Sequence, residues 1–195
     1  MPDNVIFFIM VFLTAVSLSG CAQTAEQTYY GAGSKTICSG NVYLGHIAVL
    51  PETDWREDQK EPEERQSMAL REIMGAFSEI PCGNLSPPGG IKEFSDWSAK
   101  PESELLKQFF DDGVDTVIML RLEELTPRIY FTFSLPILWG GSNEADFRIR
   151  MLSVQSGKVL SDMRLKRSTG GPFNIRPAGW SGKELREGLR SVIGE

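Results

Sequence analysis

One histidine and three cysteines in 195 residues leave little room for metal or nucleophile chemistry. Zinc and redox-metal sites need clustered His and Cys ligands, and no C-x-x-C pair is present. A Ser-His-acid triad would have to use His46, and no serine stands in a G-x-S-x-G elbow; Gly140-Gly141-Ser142 lacks that spacing. Gly182-Lys183 is followed by Glu184 where a phosphate loop needs Ser or Thr. Glu123 and Glu124 are adjacent, so on a strand they should point to opposite faces, solvated or paired with Arg121 or Arg128, and not act as an acid–base pair. The expectation is a protein that is not an enzyme and holds no metal. Positive charge is also short. The formal net charge is −6, which gives no basic footprint for nucleic acid and no polybasic segment for anionic lipid heads. No internal repeat or low-complexity tract occurs, and no apolar run reaches the roughly 20 residues that cross a bilayer as a helix.

What is present begins with residues 5–18 (VIFFIMVFLTAVSL), 14 residues without a charge, suited to the hydrophobic segment of a signal peptide. The preceding Met1-Pro2-Asp3-Asn4 has no Lys or Arg, so either the true start lies elsewhere or the amine of Met1 supplies the positive charge. The run closes on Leu18-Ser19-Gly20-Cys21, which resembles the bacterial lipobox: an aliphatic residue, two small residues that let the peptidase approach the backbone, and the cysteine that takes the lipid. The resemblance implies export, removal of residues 1–20, and a mature chain starting at Cys21 with a diacylglyceryl group on its sulfur and an N-acyl chain on its amine. That covalent lipid is the only cofactor expected. Two or three acyl chains, each methylene contributing about 0.8 kcal/mol, give stable attachment where one would not. Ala22, in place of an Asp that would resemble an inner-membrane retention signal, favours the outer membrane.

With Cys21 lipidated, Cys38 and Cys82 remain, in a compartment that permits disulfides. They flank the first strand–helix unit and are either bridged to each other or left as two buried thiols. Residues 21–41 read as the lipidated cysteine and a flexible tether, polar and Gly-containing with no apolar period. Residues 42–195 read as one domain.

Within it, residues 42–50 (VYLGHIAVL) suit a buried strand stopped by Pro51. Leu70, Ile73, Met74, Phe77 and Ile80 give one face of a first helix over residues 63–80, with Pro62 and two glutamates at its start. A short second strand is expected at residues 91–94. A second helix carries Leu105, Leu106 and Phe109 and ends at Gly113. Residues 114–125 form a central strand. Residues 129–133 and 137–139, the turn residues 140–143, and residues 145–154 and 159–166 follow as a meander, with 168–180 as loop. Ser181-x-x-Glu184 fits a capping box for the last helix. The fold class is therefore α/β (α+β): a β-α-β-α-β start, a C-terminal meander and a terminal helix, with a mixed sheet carrying three main helices.

Trp55 stands alone in a charged loop, as a lid on the core edge or a binding contact. Tyr130, Phe133 and Trp139 lie in YFTFSLPILW, too continuously apolar for a one-sided strand. That segment is either core beneath the meander or an exposed interaction surface.

The segments His46-Ile47-Ala48-Val49-Leu50-Pro51, Gly113-Val114-Asp115-Thr116-Val117-Ile118 and Leu152-Ser153-Val154-Gln155-Ser156-Gly157-Lys158-Val159-Leu160 resemble, in this order, motifs of periplasmic lipoproteins built on the TolB amino-terminal-domain fold, a group that includes CsgG and LpoB. The resemblance covers residues 44–168 and implies a lipid-anchored, non-catalytic interaction or accessory module of the cell envelope, facing the periplasm and bound to an envelope protein. Two alternatives stay open: an oligomeric secretion component of the curli type, and the auxiliary lipoprotein of an ABC-type transport system. Self-association as a homo-oligomer is compatible with all three.

Overall fold

The computed structural model describes residues 23–33, 35–38, 43–55, 61–86, 90–132, 138–172, 177 and 179–194. Leu18, Ser19, Gly20, Cys21 and Phe133 lie outside them. In chain order the elements are β1 (Gln23–Gly33), β2 (His46–Thr53), α1 (Pro62–Phe77), β3 (Asn84–Leu85), a 3₁₀ turn (Trp97–Ala99), α2 (Glu102–Asp111), β4 (Thr116–Thr132), β5 (Leu138–Ser153), β6 (Val159–Pro172) and α3 (Gly179–Ile193). They form one six-stranded mixed sheet in the order β1-β6-β5-β4-β2-β3 with three helices packed on it. β2 runs parallel to β3 and β4, while β4, β5, β6 and β1 are successively antiparallel.

Alternation on the strands decides where the helices go. Ile118, Leu120, Leu122, Phe147, Ile149, Met163 and Leu165 share one face and meet Ala69, Ile73 and Phe77 of α1 and Leu185, Leu189 and Val192 of α3 in the main core. On the other face Ala48, Leu50 and Val117 meet Leu105 and Phe109 of α2. α1 starts at Pro62, where the missing N–H would have had no partner in any case, with Glu63 and Glu64 in its first turn. Cys38 and Cys82 are joined by a disulfide, with Cα atoms 5.4 Å apart. It fastens the connection between β1 and β2 to the segment just after α1.

Several local expectations are corrected. Residues 23–33, expected within a flexible tether, are a strand paired along its length with β6. β1 is an edge strand exposed on both faces, so it carries no apolar alternation to announce it. β2 does not stop at Pro51. Val49 exchanges hydrogen bonds with Gly90 and Lys92 on the β3 side, and the Pro51 carbonyl accepts from Ser95 on that same side. The missing proline N–H therefore points away from β4, and the β2–β4 ladder runs on to Thr53. The second strand is Asn84–Leu85, and Ile91 makes only an isolated bridge to Val49.

The largest difference is in the meander. Residues 140–143 are not a turn: β4 and β5 form one long hairpin, 17 and 16 residues, running through Pro127 and Gly140 to Asn143. β6 likewise takes in residues 168–172, expected as loop. A glycine is needed there because a Cβ on Gly170 would stand 2.3 Å from the Gly141 carbonyl oxygen and 2.5 Å from Ser142 Cβ. Gly170 marks a close approach of two strands, not a reversal. Finally, Ser181 and Glu184 do not form a capping box. The buried Ser181 hydroxyl donates to Asn143 Oδ1 at 3.2 Å and Glu184 receives Arg167 at 3.0 Å, so both tie α3 to the sheet.

Candidate functional site

α2 and the 3₁₀ turn cover only part of their face of the sheet. Beyond them that face changes from apolar to charged, because the alternate positions of β4, β5 and β6 are Arg121, Glu123, Glu144, Asp146, Arg148, Arg150, Asp162, Arg164 and Lys166. Register sets Arg121, Arg148 and Arg164 in one row across the sheet, so each of the last two finds its carboxylate on the diagonal. Arg148 donates two hydrogen bonds to Asp162 at 2.9 and 2.7 Å, and Arg164 donates two to Asp146 at 2.9 Å each. Arg164 also meets Glu123, Lys166 reaches Glu144 at 2.7 Å, and Arg150 reaches Glu102 of α2 at 3.0 Å. Arg121 bridges Asp54 at 2.5 Å and the buried Glu52 at 3.7 Å.

Glu144 and Asp146 are buried beneath cations that are themselves part-exposed, so the outer surface of this face is mainly guanidinium and ammonium over carboxylate. Hydrogen bonding from Arg148 holds the Asp162 carboxyl below its usual range, against the opposing effect of burial. The same kind of bond, to Asp162 and to Asp146, holds Arg148 and Arg164 above the usual arginine value. Where α2 and the 3₁₀ turn end, a cleft of about 360 Å³ opens, lined by Glu52, Ser98, Met119, Arg121, Arg148 and Arg150 among others.

The adjacent glutamates depart from expectation. A bulge between Leu122 and Glu124 interrupts alternation, so Glu124 lies opposite Asp146 while Glu123 reaches Arg164, the partner of Asp146. Both carboxylates thus serve the charged face, and Glu123 pairs with Arg164 where Arg121 or Arg128 was expected. Glu124 is buried and accepts the Thr126 hydroxyl at 2.8 Å. His46 opens β2 with its backbone N–H given to Asp115 Oδ2 at 2.8 Å and its exposed ring's Nδ1 at 3.8 Å from the same oxygen. Among the described residues no group of three or more His, Cys, Asp or Glu could hold a metal ion, and no helix is long and apolar enough to cross a membrane.

The other sequence-predicted residues separate. Trp55 packs on the edge of the main core, its indole nitrogen buried, which is the lid position. Tyr130 lies on β4 opposite Gly140, and Trp139 on β5 opposite Phe131, in the outermost arms of the hairpin. Register sets these two in adjacent rows of the same hairpin and leaves Trp55 in a different part of the fold. Sequence reading missed the charged face; what identifies it is the register of β5 with β4 and β6. It also missed a second groove, of about 440 Å³, where Thr24 and Thr169 meet Trp180 and Lys183 at the start of α3. Lys183 Nζ stands 4.8 Å from the centroid of the Trp180 ring.

No known family model matches the sequence, and no curated protein matches it. Solved structures with a similar arrangement include the PelC dodecamer from Paraburkholderia phytofirmans, 8% identical over 89% of this chain and 100% of that chain, with a TM-score of 0.46. Lipoprotein GNA1162 from Neisseria meningitidis is 14% identical over 79% of this chain and 99% of that chain, with a TM-score of 0.40. A minor lipoprotein from Acinetobacter baumannii is 10% identical over 79% of this chain and 84% of that chain, with a TM-score of 0.29. At these values the likeness decides neither family nor role.

Proposed function

We propose that this chain is a lipoprotein of the bacterial cell envelope, acylated at Cys21 and facing the periplasm from the outer membrane, and that it works by binding an envelope protein and not by catalysis. The TolB-like motif order stands behind the choice of an accessory module. The observation that carries the binding role is the open charged face of β4, β5 and β6. Its arginines and carboxylates are paired with one another, Arg148–Asp162 and Arg164–Asp146 in two-point geometry, so they offer a charge pattern for recognition. A partner with the complementary pattern would exchange these pairs for its own.

The test is an affinity pulldown from crosslinked envelopes, with the anchored protein as bait beside Cys21→Ala and an Arg148→Glu, Arg164→Glu double variant. Recovery of one defined envelope protein, lost in the double variant while the variant stays folded, is the expected result. Recovery unaffected by reversing those charges would sink the assignment of this face. A ladder of the bait alone would favour the second reading, self-assembly of the secretion-component kind, whose support is the exposed outer edge of β1.

A further inference from the structure

We infer that the end of the sheet nearest Cys21 lies in the interfacial layer of the bilayer, so that the domain is docked on the membrane by the arms of the β4–β5 hairpin as well as by its lipid. The inference rests on the acylation proposed above and adds a second contact to it.

Register places the parts. Gln23, two residues after Cys21, pairs with Gly170; Gly170 pairs with Ser142, and Ser142 with Arg128. These four residues make one row across the sheet. Past this row β6 adds only Gly171 and Pro172, whereas β4 continues through Ile129, Tyr130 and Phe131 to Thr132, and β5 enters through Leu138, Trp139 and Gly140. The last pair, Thr132 with Leu138, is four residues beyond Arg128, a rise of about 13 Å. An extended link from Gln23 back to Cys21 covers at most about 7 Å. The acyl chains therefore enter the bilayer at a height that the hairpin arms also occupy.

The chemistry at that height fits a membrane surface. The arms are aliphatic and aromatic with an arginine at their base, the composition that settles between headgroups and acyl chains. A second element also brings an aromatic and a cation: Trp180 and Lys183 at the start of α3 line a groove with Thr24, the second residue of β1, with Glu184, Glu187 and Arg167 in the same lining. The four-residue extension is too short to span, since a crossing strand needs about 9–11 residues, and suits burial of about 5–10 Å at the interface. Because β1 is paired with β6 from Gln23 onward, this end of the sheet is held close to the lipid.

The experiment uses the acylated chain in vesicles of phosphatidylethanolamine and phosphatidylglycerol, with a nitroxide on the thiol of Trp139→Cys, the other cysteines being acylated or bridged. Thr132→Cys provides a second probe that keeps the indole, and Ser156→Cys, in the β5–β6 turn at the opposite end of the sheet, is the control. On vesicles, collisions with oxygen should rise and collisions with a water-soluble nickel chelate should fall at 139 and 132, with no change at 156. Labels at 139 and 132 that stay as accessible to nickel as 156, on protein that remains vesicle-bound through its lipid, would overturn the second contact and leave the anchor standing. Protein that carries no lipid when purified from membranes would overturn both.

Discussion

The two faces of β5 hold the molecule together by different physics. On one face Phe147, Ile149 and Met151 are sealed against α1 and α3. On the other, at the intervening positions, Asp146, Arg148 and Arg150 sit among opposite charges from β4, β6 and α2. Apolar burial contributes roughly 1.5–3 kcal/mol for each large side chain. Ion pairs at a part-exposed surface contribute about 0–1 kcal/mol, and a buried pair often does no better than apolar residues of the same shape. Stability comes from the first face; the second fixes charges at set positions at little net gain, which is what a recognition surface requires.

Phe147→Ala is the largest way to break that contrast. It should cost about 3–5 kcal/mol in denaturant unfolding, since the side chain is fully buried between sheet and α3. Replacing Cys38 and Cys82 together by Ser should cost about 3–4 kcal/mol by the same measurement, from loop-closure entropy over a separation of 44 residues. On the charged face, Arg164→Ala strands the buried Asp146 and should cost about 1–3 kcal/mol, whereas Arg148→Ala, at a more open pair, should cost about 1 kcal/mol or less. Equal losses at Arg148 and Phe147 would refute the division of labour between the faces.

The smallest effect is in pH. Asp162 has its folded-state pKa lowered, so its contribution to stability is complete above the ordinary aspartate value of about 3.9 and is lost as pH falls through the lower folded value. Stability measured downward from pH 5 should therefore decline less steeply in Asp162→Asn than in the parent. Arg148 and Arg164 are shifted upward, so their contribution persists below the ordinary arginine value and does not change across this range.

How much of this the sequence disclosed depends on burial. α1 was legible because Ile73 and Phe77 repeat on one face behind Pro62. The central strand was legible because residues 117–120 are apolar on both faces, and the β5–β6 turn because Gly157 follows two polar residues. β1 was illegible, being exposed on both faces and stabilised by pairing with a strand near the other end of the chain, which no local pattern records. Residues 140–143 and 169–171 misled for a related reason: glycine at a close approach of strands is written with the same letters as glycine in a turn, and only the partner strand tells them apart. The hairpin aromatics Tyr130 and Trp139 were picked out from composition alone; their position level with the start of β1 required the register.

The hydroxyls of Thr24 and Thr169 meet at 2.8 Å across 145 residues of chain. The first of the described strands therefore waits for nearly the last before it finds its neighbour. Such a long-range closure is slow by nature, since the loop entropy must be overcome before the contact gives anything back. Until β6 arrives the segment after Cys21 has no native strand beside it, with its edge open to any extended chain nearby. With β1 and β6 at opposite ends of the chain, this edge of the sheet can close only once nearly the whole chain is present.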